Sequence, residues 1–101
     1  MIEKYKDLKE IQMIIFNLGQ EEYCVPITCV QEIIMPQKPT HIPKSPGWVE
    51  GVINLRGRII PIIDGRKKFM IDAEKISNDS RIMVLDVNNE IIGLIVDAVE
   101  E

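Results

Sequence analysis

Residues 43–64, PKSPGWVEGVINLRGRIIPIID, constrain the fold more than any other stretch of this chain. Pro43 and Pro46 keep the backbone extended and push the residues before them into the β or polyproline region. Trp48, the only tryptophan, supplies one large apolar side chain. Val52, Ile53 and Leu55 form one apolar run, residues 58–63 form a second, and Arg56-Gly57 lies between them. A glycine at the third position of a tight turn admits the positive φ that the turn needs. The stretch therefore predicts a β-hairpin with an arginine at its tip. An arginine so placed buries nothing. It is either a solvated surface charge or a group free to reach a partner.

The 101 residues suit one ordinary domain, or a domain with a piece missing, and 46% apolar with 28% charged is the balance of a soluble globular protein. No apolar run approaches the ~20 residues needed to cross a bilayer. Residues 1–11 are charged and lack the apolar core and cleavage site of a secretory signal, so they read as a polar lead-in to a domain at 12–101. A net charge of −4, with Arg66-Lys67-Lys68 the sole basic cluster, argues against nucleic acid as a ligand and against a polybasic membrane anchor.

Catalytic signals are sparse. Cys24 and Cys29 are too few for a disulfide framework and spaced wider than C-x-x-C, so both are expected as small buried hydrophobes in a reducing cytoplasm. His41 is a single loop histidine, expected as an exposed turn residue, and leaves a zinc shell short of ligands unless carboxylates join it. Asp64, Asp86 and Asp97 each follow an apolar strand, where a carboxylate either binds a metal or caps the next turn. Gly47, Gly51 and Gly57 are spread through a hairpin and do not form a phosphate loop. A small metal-dependent enzyme using the strand-end aspartates is therefore the minor alternative, and no cofactor is expected. Met13, Met35, Met70 and Met83 are either core filler or an adaptable surface for a partner helix.

Taken in order, residues 12–18 and 22–25 read as a first hairpin turned at 19–22. In residues 27–35, Ile27, Val30 and Ile34 recur at helical spacing. They predict a short helix with Thr28 as N-cap and Gln31 as its capping-box partner. Pro36 and Pro39 end it in an extended crossing. Asp64 can cap a short helical turn at 65–69, and residues 70–80 form a polar loop. Residues 81–86 and 91–96 read as strands joined through Asn88-Asn89, a pair that tolerates left-handed conformation. The pattern is mainly β, with sequential hairpins and no long helix, so a sandwich or small barrels rather than a parallel sheet.

The segments IIFNLGQEEYCVPITCVQEII, IPKSPGWVEGVINLRGRIIPIIDGRKKF and RIMVLDVNNEIIGLIVDAV together resemble the CheW-like domain of the bacterial chemotaxis adaptor CheW and its partner histidine kinase CheA. The resemblance runs from about residue 13 to 99, and its most specific part is the unbroken run from Pro43 to Asp64. It implies two SH3-like five-stranded β-barrels with short helices, the second incomplete because the chain stops at Glu101. It implies a non-catalytic scaffold that couples the chemoreceptor signalling tip to CheA, cytoplasmic and recruited to membrane arrays through partners, without direct membrane contact. By position in the family pattern, Arg56 of N-L-R-G is the receptor-coupling arginine, with Asn54 in the same motif. Val30, Glu32 and Ile33 match a V-x-E-I helix lining the same receptor-facing groove, and Gly51 and Gly57 frame the hairpin. Kinase-binding residues are not identified. The family usually has an aliphatic residue where this chain has Gly65, so the helix there should be loosened. An incomplete barrel would leave an open edge, and a homodimer that pairs or exchanges strands is the expected remedy. A regulatory module cut from a kinase or a receiver-fused coupling protein is the remaining family alternative.

Overall fold

The computed structural model describes residues 12–71 and 78–100. The lead-in at 1–11 and most of the loop expected at 70–80 lie outside the described residues. Eight strands are described: β1 (Met13–Leu18), β2 (Glu21–Pro26), β3 (Val30–Ile34), β4 (Val49–Leu55), β5 (Arg58–Asp64), β6 (Arg81–Val87), β7 (Glu90–Val96) and β8 (Ala98–Glu100). A 3-10 turn, Ile27–Cys29, and one helical turn, α1 (Gly65–Lys68), complete the order. The strands form a five-stranded sheet, β3-β6-β7-β5-β4, and a three-stranded sheet, β2-β1-β8. The expected mainly-β pair of small units is thus present, and the smaller one draws its strands from both ends of the described chain.

β6 is the wall shared by two cores, which is why it reads as a continuous apolar run. Met83 and Leu85 face the other sheet and pack with Phe16, Leu18, Leu94 and Val96. Ile82 and Val84, on the opposite face, pack with Ile53, Ile60 and Ile62 inside the five-stranded unit. Each fully buried aliphatic side chain contributes roughly 1.5–3 kcal/mol of transfer free energy.

Both predicted tight hairpins form. Asn88 and Asn89 adopt φ of 54° and 69°, and Arg56 and Gly57 adopt 52° and 85°. Two consecutive left-handed residues make the turn whose twist matches a two-residue hairpin. At the start of α1, the Asp64 side chain accepts a hydrogen bond from the Lys67 amide at 3.2 Å, as a cap should.

Several expectations are corrected. Residues 30–34 form a strand, not a helix, and neither Thr28 nor Gln31 caps anything, since Pro26 precedes the 3-10 turn with no side-chain cap. The helical spacing of Val30 and Ile34 does not mark one shared face, since Val30 packs toward the core between the sheets and Ile34 toward the core of the five-stranded unit. A β-bulge between Val30 and Glu32 shifts the register, so Val30 opposite Leu85 and Ile33 opposite Met83 share a face despite lying three apart. The strands are not all in sequential hairpins: β5 and β7 pair in parallel through Ile62, Ile63 and Asp64. Residues 98–100, expected only as a chain end, pair with β1 as β8. Cys24 is exposed and Cys29 half-buried, so neither belongs to the core. Of the methionines, Met83 is buried, whereas Met13, Met35 and Met70 are exposed. Gly65 has a packing role: a Cβ there would lie 2.7 Å from the Ile95 carbonyl oxygen and from a Leu18 methyl, so its bareness seats α1 on the core.

Candidate functional site

β3 and β4 lie at opposite margins of the five-stranded sheet. The sheet coils far enough for the β4–β5 turn to swing back over β3. There the Arg56 guanidinium donates from Nη1 to Glu32 Oε2 and from Nη2 to Glu32 Oε1, both at 2.6 Å. A two-pronged guanidinium–carboxylate pair fixes orientation as well as proximity. Arg56 is therefore not the free tip charge that its turn position suggested. Its side chain is still 68% exposed, against 29% for Glu32, so its remaining N–H donors face solvent. The hydrogen bond and the charge of Arg56 hold the Glu32 carboxyl below the usual carboxylate range. Reciprocally, Glu32 raises Arg56 further above its already high value.

Asn54 braces the same turn, its side-chain oxygen accepting from the Gly57 amide at 2.8 Å. Glu32, Asn54, Arg56 and Gly57 are thus brought together at one hairpin tip. The other candidate residues stand apart. Val30 is half-buried against the core between the sheets. Ile33 is exposed, but it points to the face opposite Glu32 and lines a groove of about 830 Å³ with Met13, Ile27 and Val99.

Gly51 is buried and works from below. Its φ of 144° and a bulge between Val49 and Gly51 let Thr40 pair with Val52 through bonds of 2.8 and 2.9 Å. A Cβ at Gly51 would lie 2.1 Å from the Thr40 carbonyl oxygen. This glycine carries the proline-rich crossing across the hairpin rather than offering surface of its own.

Two neighbours of the tip escaped the sequence reading. Ile59 is 64% exposed and Arg58 is also exposed. Strict alternation along β5, where Ile60 and Ile62 are buried, was the signal that Ile59 must face outward.

The aspartates proposed for metal chemistry have structural work where contacts are defined. Asp64 caps α1, and Asp97 Oδ2 accepts from the Gly19 amide and from Arg66 Nε, the latter at 2.8 Å. Among the described residues no three His, Cys, Asp or Glu side chains gather into a metal-binding group. His41 is exposed in its loop. No helix among the described residues is long and apolar enough to cross a membrane.

The architecture is a two-sheet β-domain whose best-defined surface device is an ion pair joining a hairpin tip to the far sheet margin. The CheW-like domain matches residues 12–101, and the chain belongs to that family. It is 41% identical over 99 residues to chemotaxis protein CheW of Helicobacter pylori, covering 97% of this chain and 60% of that one. To chemotaxis protein CheW of Bacillus subtilis it is 37% identical over 86 residues, covering 85% and 55%. The crystal structure of scaffolding protein TtCheW from Thermoanaerobacter tengcongensis matches with a TM-score of 0.86 at 43% identity, covering 90% of this chain and 62% of that chain. The chain thus spans between 55% and 62% of the length of these relatives.

Proposed function

We propose that this chain is a non-catalytic adaptor domain that couples the signalling tip of bacterial chemoreceptors to the histidine kinase CheA. It works in the cytoplasm, is held at receptor arrays through its partners, and uses no cofactor. The observation that carries this reading is family membership across residues 12–101, including relatives named for chemotaxis and one named as a scaffold. The local geometry supports it. Arg56 and Glu32 form a rigid, half-exposed polar device on a hairpin, with Asn54 and Gly57 fixing the turn. Receptor contact is assigned to this tip, because a side chain already held in place loses less freedom on binding. Val30 supports β3 from the core, and Ile33 lies outside this contact.

Calorimetric titration with a receptor signalling-tip fragment tests the reading. The native chain is expected to bind, and Arg56→Glu to lose at least about tenfold in affinity. Because Arg56→Glu also sets two carboxylates against each other, the swapped variant Glu32→Arg/Arg56→Glu is measured beside it. The swap restores opposite charges while still removing the guanidinium from the tip, so it should fold and still bind weakly. A folded native chain that does not bind the fragment would overturn the proposal.

A further inference from the structure

The three-stranded sheet, β2-β1-β8, has two outer strands, and their edges differ. β2 is guarded, with Glu21 and Glu22 exposed at one end and Pro26, which has no amide hydrogen, at the other. Charge and proline on an edge strand both discourage addition of another strand. The margins of the five-stranded sheet are also engaged. Thr40 bridges to β4 at Val52, and Glu32 of β3 is held by Arg56. β8 is more open. Ala98, Val99 and Glu100 pair with β1 along one side without proline or bulge, and no strand among the described residues lies along the other. All three residues of β8 also line the groove that contains the exposed apolar side chains of Met13, Ile27 and Ile33. Open backbone and exposed apolar surface therefore adjoin.

The charges at this edge suit a second copy of the chain. The charged residues lining the groove are Asp79, Arg81 and Glu100. Turning one β8 against another about a two-fold axis at Val99 makes an antiparallel pair in which Ala98 of each copy faces Glu100 of the other. Arg81 lies near that position, because it pairs with Val96, two residues before Ala98, and lines the same groove. Within its own chain Arg81 donates from Nη1 to the carbonyls of Asn78 and Ser80, both neutral acceptors. Glu100 in turn is crowded by Glu22, whose hydrogen bond and charge raise its pKa. Each copy thus brings a guanidinium bonded to neutral carbonyls and a carboxylate set beside another carboxylate.

We propose that this 101-residue chain forms a two-fold dimer through β8, with the two three-stranded sheets joined edge to edge and Arg81 of each copy paired with Glu100 of the other. A two-fold contact uses the same patch on both copies, so association closes at the dimer and does not grow into a fibre. The apolar groove residues next to β8 leave water on both copies at once. The dimer is independent of the adaptor reading, since the groove lies on the face of β3 opposite Glu32.

The test is sedimentation equilibrium of the full chain and of Arg81→Glu and Glu100→Lys, each alone and the two mixed in equal amounts. Neither side chain is buried, so circular dichroism should show both variants folded. Glu100→Lys breaks no ion pair within the chain, so its effect reads the contact between copies even if Arg81→Glu disturbs residues 78–80. The native chain is expected to dimerise, and less tightly as salt rises. Each variant alone sets like charges together at both contacts and should dimerise at least about tenfold more weakly. In the mixture every contact between unlike chains joins opposite charges again, so association should return to within about threefold of native. A native chain that stays monomeric at high micromolar concentration would overturn the inference. So would single variants that dimerise as tightly as the native chain, or a mixture that associates no better than its components.

Discussion

Glu32 and Arg56 belong to opposite margins of one five-stranded sheet, and their side chains meet in two contacts of 2.6 Å. The pair closes the gap between those two margins at the β4–β5 turn. It also orients the Arg56 guanidinium, so closure of the unit and presentation of the tip are one event.

This closure has a pH signature. Glu32 titrates below its ordinary 4.5 because Arg56 hydrogen-bonds and charges its surroundings. A depressed carboxylate contributes stability that is complete above the unfolded-state value and is lost as pH falls through the folded-state value. Glu100 moves the other way, raised by the hydrogen bond and charge of Glu22, so acid favours its folded, protonated form. A global acid melt would mix the two, and residue-resolved carboxyl NMR separates them. Glu32 should titrate below the ordinary carboxylate range and move up towards it in Arg56→Ala. An ordinary Glu32 titration in the native chain would show that the pair does not persist in solution.

Gly51→Ala should be among the most damaging single substitutions. A methyl group would meet the Thr40 carbonyl oxygen at 2.1 Å, and alanine strongly disfavours the φ of 144°. We expect a loss of about 2–4 kcal/mol in denaturant unfolding, with the Thr40 and Val52 amides losing exchange protection first. Native-like protection at those amides in the variant would contradict the account.

Asp97 ties three elements together. Its Oδ2 holds the β1–β2 turn through the Gly19 amide and α1 through Arg66, at the junction from β7 to β8. Asp97→Ala should cost about 1–3 kcal/mol, because both donors lose an acceptor at a partly buried site. Asp97→Asn, which keeps an acceptor oxygen, should cost less. Equal losses would mean that the side-chain hydrogen bonds are not what matters there.

The cysteines should differ in reactivity. Cys24 is exposed on β2, and Cys29 is half-buried in the 3-10 turn. Under native conditions a thiol reagent should modify Cys24 rapidly and Cys29 slowly, with both reacting together in denaturant. Equal native rates would place Cys29 at the surface as well.

The strands of the first, central and last hairpins were legible because apolar alternation and turn chemistry are local. The segment at 27–35 was not. Ile27, Val30 and Ile34 obey helical spacing, but the deciding facts are a bulge between Val30 and Glu32 and an available edge on β6. Arg56 was legible as a tip residue through Arg56-Gly57, yet its partner was hidden, because Glu32 lies 24 residues away in a segment read as helix. Ile59 is legible as outward-facing from the alternation of β5, where its neighbours Ile60 and Ile62 are buried.

The sequence by itself determined where the chain turns. Arg56-Gly57 and Asn88-Asn89 form left-handed hairpin corners, and Asp64 caps α1, because each preference is a free energy of a few adjacent residues. The tertiary structure decided what those corners face. The strand identity of 30–34, the parallel match of β5 with β7, the capture of 98–100 as β8 and the meeting of Arg56 with Glu32 all depend on partners distant in sequence. A strand's backbone groups and a side chain's charge are satisfied by whichever neighbour the whole fold delivers, and local propensity carries no record of that neighbour.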